Sequence, residues 1–75
     1  MRSAWIEVAA GPDLETARRN YVTVLETLGL GEVDIPVDDI RIETIHTSAG
    51  GRRRILLRRD TAVRLRILSP EDETI

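Results

Sequence analysis

One apolar stripe constrains this chain more than anything else in it: Leu14, Ala17, Tyr21, Val24, Leu25 and Leu28 recur at spacings of three and four. That is the period of an amphipathic α-helix of about four to five turns with a single apolar side. Its ends are marked as well. Gly11-Pro12-Asp13 precedes it, with a proline suited to the first helical turn and with Asp13 and Glu15 placed against the positive end of the dipole. Gly29-Leu30-Gly31 follows, where glycine can take the left-handed conformation that closes a helix and Leu30 can fold back on the last turn. Such a helix must bury its apolar side against another layer, so the remaining sequence has to supply a surface for it.

That remaining sequence has the period of strands. Residues 4–10 alternate, with Ile6, Val8 and Ala10 on one side and Trp5, Glu7 and Ala9 on the other. Residues 40–47, 52–59 and 62–68 read as three more strands, separated by Ser48-Ala49-Gly50-Gly51 and by Asp60-Thr61. Between the helix and these strands Val33, Ile35 and Val37 alternate, but Pro36 has no amide proton to donate, which leaves an extended loop or a short edge strand. The expected fold is α+β, a two-layer sandwich in which a strand, a helix and a three-stranded antiparallel meander follow in order (βαβββ), with residues 1–75 as one domain.

The strand faces give a register. A first turn that pairs Thr47 with Arg52 sets Ile42 against Leu57, Thr44 against Ile55 and Arg41 against Arg58. An odd second loop or a bulge then sets Leu57 against Leu65, since a slip of one residue would turn the core face outward. The core expected from this joins Leu14, Tyr21, Val24 and Leu28 to Ile6, Val8, Leu57 and Leu65. Residues 69–75 read as an acidic tail or the start of a short C-terminal helix, with Ser69 as cap and Pro70 in the first turn.

Charge divides the chain unevenly. All eleven cations are arginine. Residues 1–40 hold three of them against eight acids, residues 41–66 hold eight against only Glu43 and Asp60, and Glu71, Asp72 and Glu73 follow. The register gathers Arg41, Arg54, Arg58, Arg64 and Arg66 on the sheet face away from the helix, together with Trp5 and Leu56. Arg41, Arg58 and Arg64 stack there, and like charges opposed across strands call for a compensating anion. Glu43, Glu7 and the acidic tail can pair with part of this solvated face, and an acidic protein surface, a second copy of the chain or a nucleic acid would each supply a further anion, because guanidinium forks suit carboxylate and phosphate equally. Nucleic acid is the weaker alternative: the formal net charge is -2, Phe is absent, and Tyr21 belongs to the helix stripe, so aromatic stacking is left to Trp5.

Little in the sequence points to catalysis or to a bound cofactor or metal. His46 is the only imidazole and cysteine is absent, so nucleophilic and thiolate-metal chemistry lack their usual groups. In the register above His46 points inward near the hairpin tip, as an ordinary structural histidine. Gly50-Gly51-Arg52-Arg53-Arg54 lacks the strand-to-helix setting of a phosphate loop, and Glu32, Asp34, Asp38 and Asp39 lack the spacing of a calcium loop. No apolar run exceeds three residues, far short of the roughly 20 that cross a bilayer, and a charge interrupts the N-terminal segment where a secretory peptide needs an apolar run. The expectation is a cytoplasmic, non-enzymatic binding or assembly module. It is expected to self-associate and to meet its partner through an arginine-rich sheet face or a sheet edge, with no membrane partner.

Overall fold

The computed structural model describes residues 3–48 and 50–68. Within them the chain forms β1 (Trp5–Gly11), α1 (Leu14–Thr27), two 3₁₀ turns (Glu32–Asp34 and Val37–Asp39), β2 (Ile40–Thr47), β3 (Gly50–Arg58) and α2 (Arg59–Arg64). β3 is the central strand of a three-stranded antiparallel sheet of order β1-β3-β2, and α1 packs across one face of it. This is an α+β fold, as the alternation of periods predicts. The segment read as a final helix start or acidic tail, residues 69–75, lies outside the described residues.

Helix α1 begins two residues later than the proline signal implies, with Asp13 as the N-cap and Pro12 ahead of it, outside the first turn. Asp13 Oδ1 accepts the Thr16 amide at 2.8 Å. That backbone bond holds the carboxyl below the usual aspartate range. At the other end the Leu30 amide donates to the Leu25 carbonyl (2.9 Å) and the Gly29 amide to that of Glu26 (3.0 Å), with Gly29 at φ +73°. This is the glycine-closed turn the sequence signals. The inward line is Ala17, Tyr21 and Leu25. Leu14 and Leu28 point to the same side but sit at the first turn and the C-cap, outside the core cluster, and stay 38% and 43% exposed. Val24 is half-buried and also lies outside that cluster.

Small residues set how closely the helix approaches the sheet. A methyl group on Gly11 would lie 2.7 Å from the Ala17 amide nitrogen, so the end of β1 and the first turn of α1 meet backbone to backbone. Asn20 strengthens the same junction by donating to the Ala10 carbonyl at 2.8 Å.

A bulge corrects the simple alternation of the first strand. Ile6 pairs with Leu57 and Glu7 with Leu56, but Ala9, not Val8, pairs with Ile55, so the phase shifts between Glu7 and Ala9. Ala9 and Ile6 therefore share the core face, while Ala10 turns to the other side with Arg54. The β2–β3 hairpin is tighter than expected. Thr47 pairs with Gly50 and not with Arg52, which sets Ile42 against Ile55 and Ile40 against Leu57. The register has moved by two residues, an even number, so each side chain keeps the face assigned to it. Gly50, at φ +118°, provides backbone freedom that the four-residue turn did not call for.

The largest departure is the last expected strand. β3 runs directly into α2, and the place beside β3 expected for residues 62–68 belongs to β1. Asp60-Thr61 is the first turn of a helix, with Thr61 and Ala62 buried and Leu65 packed on the core. The Ile67 amide donates to the Ala62 carbonyl (2.8 Å) and that of Arg66 to Val63 (3.0 Å), with Arg66 at φ 64°. An arginine thus occupies the position that closes a helix and normally selects glycine. The 32–39 segment likewise forms two 3₁₀ turns and no strand, burying Ile35 and leaving Val33 and Val37 96% and 83% exposed.

Candidate interaction surface

The sheet face away from α1 carries the residues singled out by charge, in an arrangement that differs from the expected stack. Along its rows Trp5 faces Arg58, Glu7 faces Leu56 and Leu56 faces Arg41, and Ala10, Arg54 and Glu43 follow one another across the three strands. Arg41 and Arg58 are not opposed. They lie on a diagonal with the Trp5 ring, their guanidinium carbons 5.2 and 5.0 Å from its centroid. The indole spaces the two cations and attracts both.

Carboxylates from the same chain compensate most of this face. Arg54 reaches Glu43 Oε1 through Nε (3.0 Å) and through Nη2 (2.7 Å), and approaches Glu7 at 3.8 Å. Arg52, which the sequence reading did not include in the face, is 3.8 Å from Glu7, and Arg41 is 3.8 Å from Glu43. Arg58 Nε donates to Asp39 Oδ1 at 3.2 Å, and Thr61 Oγ1 donates to Asp39 Oδ2 at 2.6 Å. The Thr61 bond, followed by Arg58, holds the Asp39 carboxyl below the usual range. Pairs this exposed stabilise the fold only by about 0.2–1 kcal/mol each. Their larger effect is to occupy the guanidinium forks.

Leu56 sits at the centre of the network and is 5% exposed although it belongs to the face opposite the core. Its neighbours on that face, by register, are Glu7, Arg41, Arg54 and Arg58, long side chains whose stems are suited to covering an apolar residue while their charged ends stay wet. It is a plug beneath the ion pairs and not an exposed anchor. Arg64 and Arg66 lie on α2 and its closing turn and not on the sheet, although Arg64 is near enough to Asp39 to help hold its carboxyl down. Among the described residues neither forms an ion pair. His46 is exposed opposite Gly51, and does not point into a core near Arg53 as the longer turn implied.

A second surface was missed by the charge argument. α1 packs on β1 and β3 and scarcely reaches β2. The gap is a cleft of about 160 Å³ lined by Arg18, Tyr21, Glu32, Ile40, Ile42 and Ile55. Ile42, one of its lining residues, is 47% exposed. The Tyr21 hydroxyl is buried without a hydrogen-bond partner, and desolvation, then the nearby Glu32 carboxylate, raises its pKa. Beside the cleft runs the outer edge of β2, which among the described residues pairs only with β3. The two sheet edges are unlike. β1 is interrupted by its bulge, whereas β2 offers eight residues in unbroken register with no proline. Bulges and prolines are two of the devices that keep an edge from pairing with another chain, and β2 has neither; charged side chains are another, but Arg41 and Glu43 on β2 are of opposite sign.

Among the described residues no three or more His, Cys, Asp or Glu side chains are gathered as metal ligands, and no helix is long and apolar enough to cross a membrane. Comparison of the chain with protein families, with curated proteins and with solved structures gives no match in any of the three.

Proposed function

We propose that this protein is a non-enzymatic assembly module that self-associates through the open edge of β2. The observation that carries the reading is the coincidence, on one strand, of an unprotected eight-residue edge and an apolar residue, Ile42, that α1 leaves uncovered. Edge pairing satisfies the outward backbone groups of the strand and removes apolar surface from water in the same contact. Size argues in the same direction, because 75 residues without cysteine have a thin core and no disulfide to reinforce it.

The arginine face supports an acidic or nucleic-acid partner less well than its composition suggests. A phosphate backbone would have to displace Glu7, Glu43 and Asp39 from the guanidiniums they already occupy. The experiment is the solution mass by light scattering at low salt and at about 1 M salt, where the Debye length falls to about 3 Å. Edge pairing is a backbone and apolar contact, so a dimer persists at both. A dimer that dissociates in high salt points instead to charge contacts between the acidic and arginine-rich parts of two copies. A monomer at both salts, up to millimolar protein, overturns the assembly reading.

A further inference from the structure

We infer that the copies join about a two-fold axis through Ile42, in the antiparallel register that sets Ile42 against its own copy and Arg41 against the copy's Glu43. The inference rests on the assembly reading above and names the contact that makes it. An antiparallel ladder pairs residues whose backbone groups both point outward, so two identical edges can meet only in registers centred on a single residue. Four such centres, Ile42 to Ile45, keep at least five of the eight residues of β2 paired, and a centre on Arg41 keeps three. Centring on Arg41 opposes two arginines and centring on Glu43 opposes two glutamates, both of which cost stability. Centring on Thr44 sets Glu43 against Ile45 and leaves Ile42 against His46, and centring on Ile45 pairs that residue with its copy but leaves Arg41 and Ile42 beyond the paired stretch of β2. Centring on Ile42 alone gives two Arg41–Glu43 pairs on the arginine face and one Ile42–Ile42 pair on the opposite face. The sequence Arg41-Ile42-Glu43 is complementary to itself.

The monomer is already arranged for this contact. Arg41 and Glu43 are partly exposed on the outer side of the network, with their mutual approach a loose 3.8 Å, so both retain capacity for a cross-strand partner. Ile42 lies on the helix side at the outer wall of the cleft. Its copy, with Cβ atoms roughly 5 Å apart in a directly opposed pair, covers a flank of Ile42 that the described residues leave exposed. The product is a six-stranded antiparallel sheet with both α1 helices on one face and a continuous band of arginine–carboxylate pairs on the other.

The absence of cysteine makes the test direct. Ile42→Cys in the full chain should oxidise to a disulfide-linked dimer, because directly opposed strand residues fall within disulfide reach. Thr44→Cys should link at least about tenfold more slowly, since in this register its own copy is roughly 14 Å away. Amide exchange of the unmodified chain gives a second measurement: β2 amides should gain protection as concentration rises, while those of β1 do not. Faster linking at Thr44 overturns the register but keeps the edge. A dimer with neither linkage nor β2 protection overturns edge pairing. A monomer overturns the assembly reading itself.

Discussion

Truncating Leu25 and truncating Leu28 should have different consequences, although both belong to one sequence stripe. Leu25 is 1% exposed within the core cluster, and Leu25→Ala removes three carbons, worth about 0.8 kcal/mol each in transfer free energy. The cavity left behind adds to that sum of roughly 2.4 kcal/mol, giving an expected loss of about 3 kcal/mol within the range of about 2–5 seen for such changes. In a domain of this length each kcal/mol moves the melting temperature by about 4–8 °C, so the midpoint should fall by roughly 12–24 °C. Leu28, 43% exposed at the C-cap, already leaves much of its surface in water. Leu28→Ala should cost no more than about 1 kcal/mol. Calorimetric or circular-dichroism melts at equal protein concentration decide the matter. Equal losses for the two variants would refute the helix placement, and a near-neutral Leu25→Ala would refute the core.

Four further outcomes are expected. Tyr21→Phe removes a buried hydroxyl with no partner, so it should stabilise the fold by about 1 kcal/mol. It should also remove the Tyr21 part of the alkaline loss, because a raised folded pKa contributes stability present below about pH 10 and lost as pH rises through the folded value. Arg66→Gly relieves a left-handed backbone and should raise the melting temperature by an amount corresponding to about 1 kcal/mol; destabilisation would favour a strand at residues 62–68. Asp39 has a depressed folded pKa, so its contribution is present above about pH 4 and disappears as pH falls through the folded value, and Asp39→Asn should flatten the acid limb of a melting-temperature profile. Arg58→Glu sets a carboxylate against Asp39 and removes a cation from Trp5, so it should destabilise the isolated chain, the opposite of what relief of an arginine stack implies.

The sequence carried the fold wherever a local signal and the tertiary packing agreed. Gly29 and Leu30 announced the end of α1 because their closing geometry depends on the chain alone. The faces of β2 and β3 were legible even though the turn was two residues shorter than expected, since a shift by two preserves the side of every residue. Periodicity gave the direction of Leu14 and Leu28 but could not show whether a neighbour lay beyond them. Residues 62–68 misled because arginine alternates with apolar residues there, while Thr61, Ala62 and Leu65 fit a helical turn equally well. Only the pairing of β1 with β3 decides between those readings, and that is a long-range fact.

The candidate site was legible by composition and not by arrangement. Trp5, Arg41, Arg54, Arg58 and Leu56 do share one face. Glu7 and Glu43 were legible as partners for these arginines, whereas Asp39 was not, because its approach to Arg58 depends on where the turn before β2 is placed. The register set Ile42 on the apolar side opposite Leu57; its exposure follows from the position of α1 over β1 and β3. An unbulged edge is likewise visible only once the strand order is known.

Sedimentation equilibrium of the unmodified chain beside Ile42→Lys tests the central claim most directly. Ile42 is about half exposed in the single copy, so lysine should leave the monomer folded, while the two-fold contact would bring two ammonium groups together on an edge. The account predicts a dimer for the unmodified chain and a folded monomer for Ile42→Lys. A monomer for the unmodified chain, or an Ile42→Lys dimer as tight as the original, would contradict it.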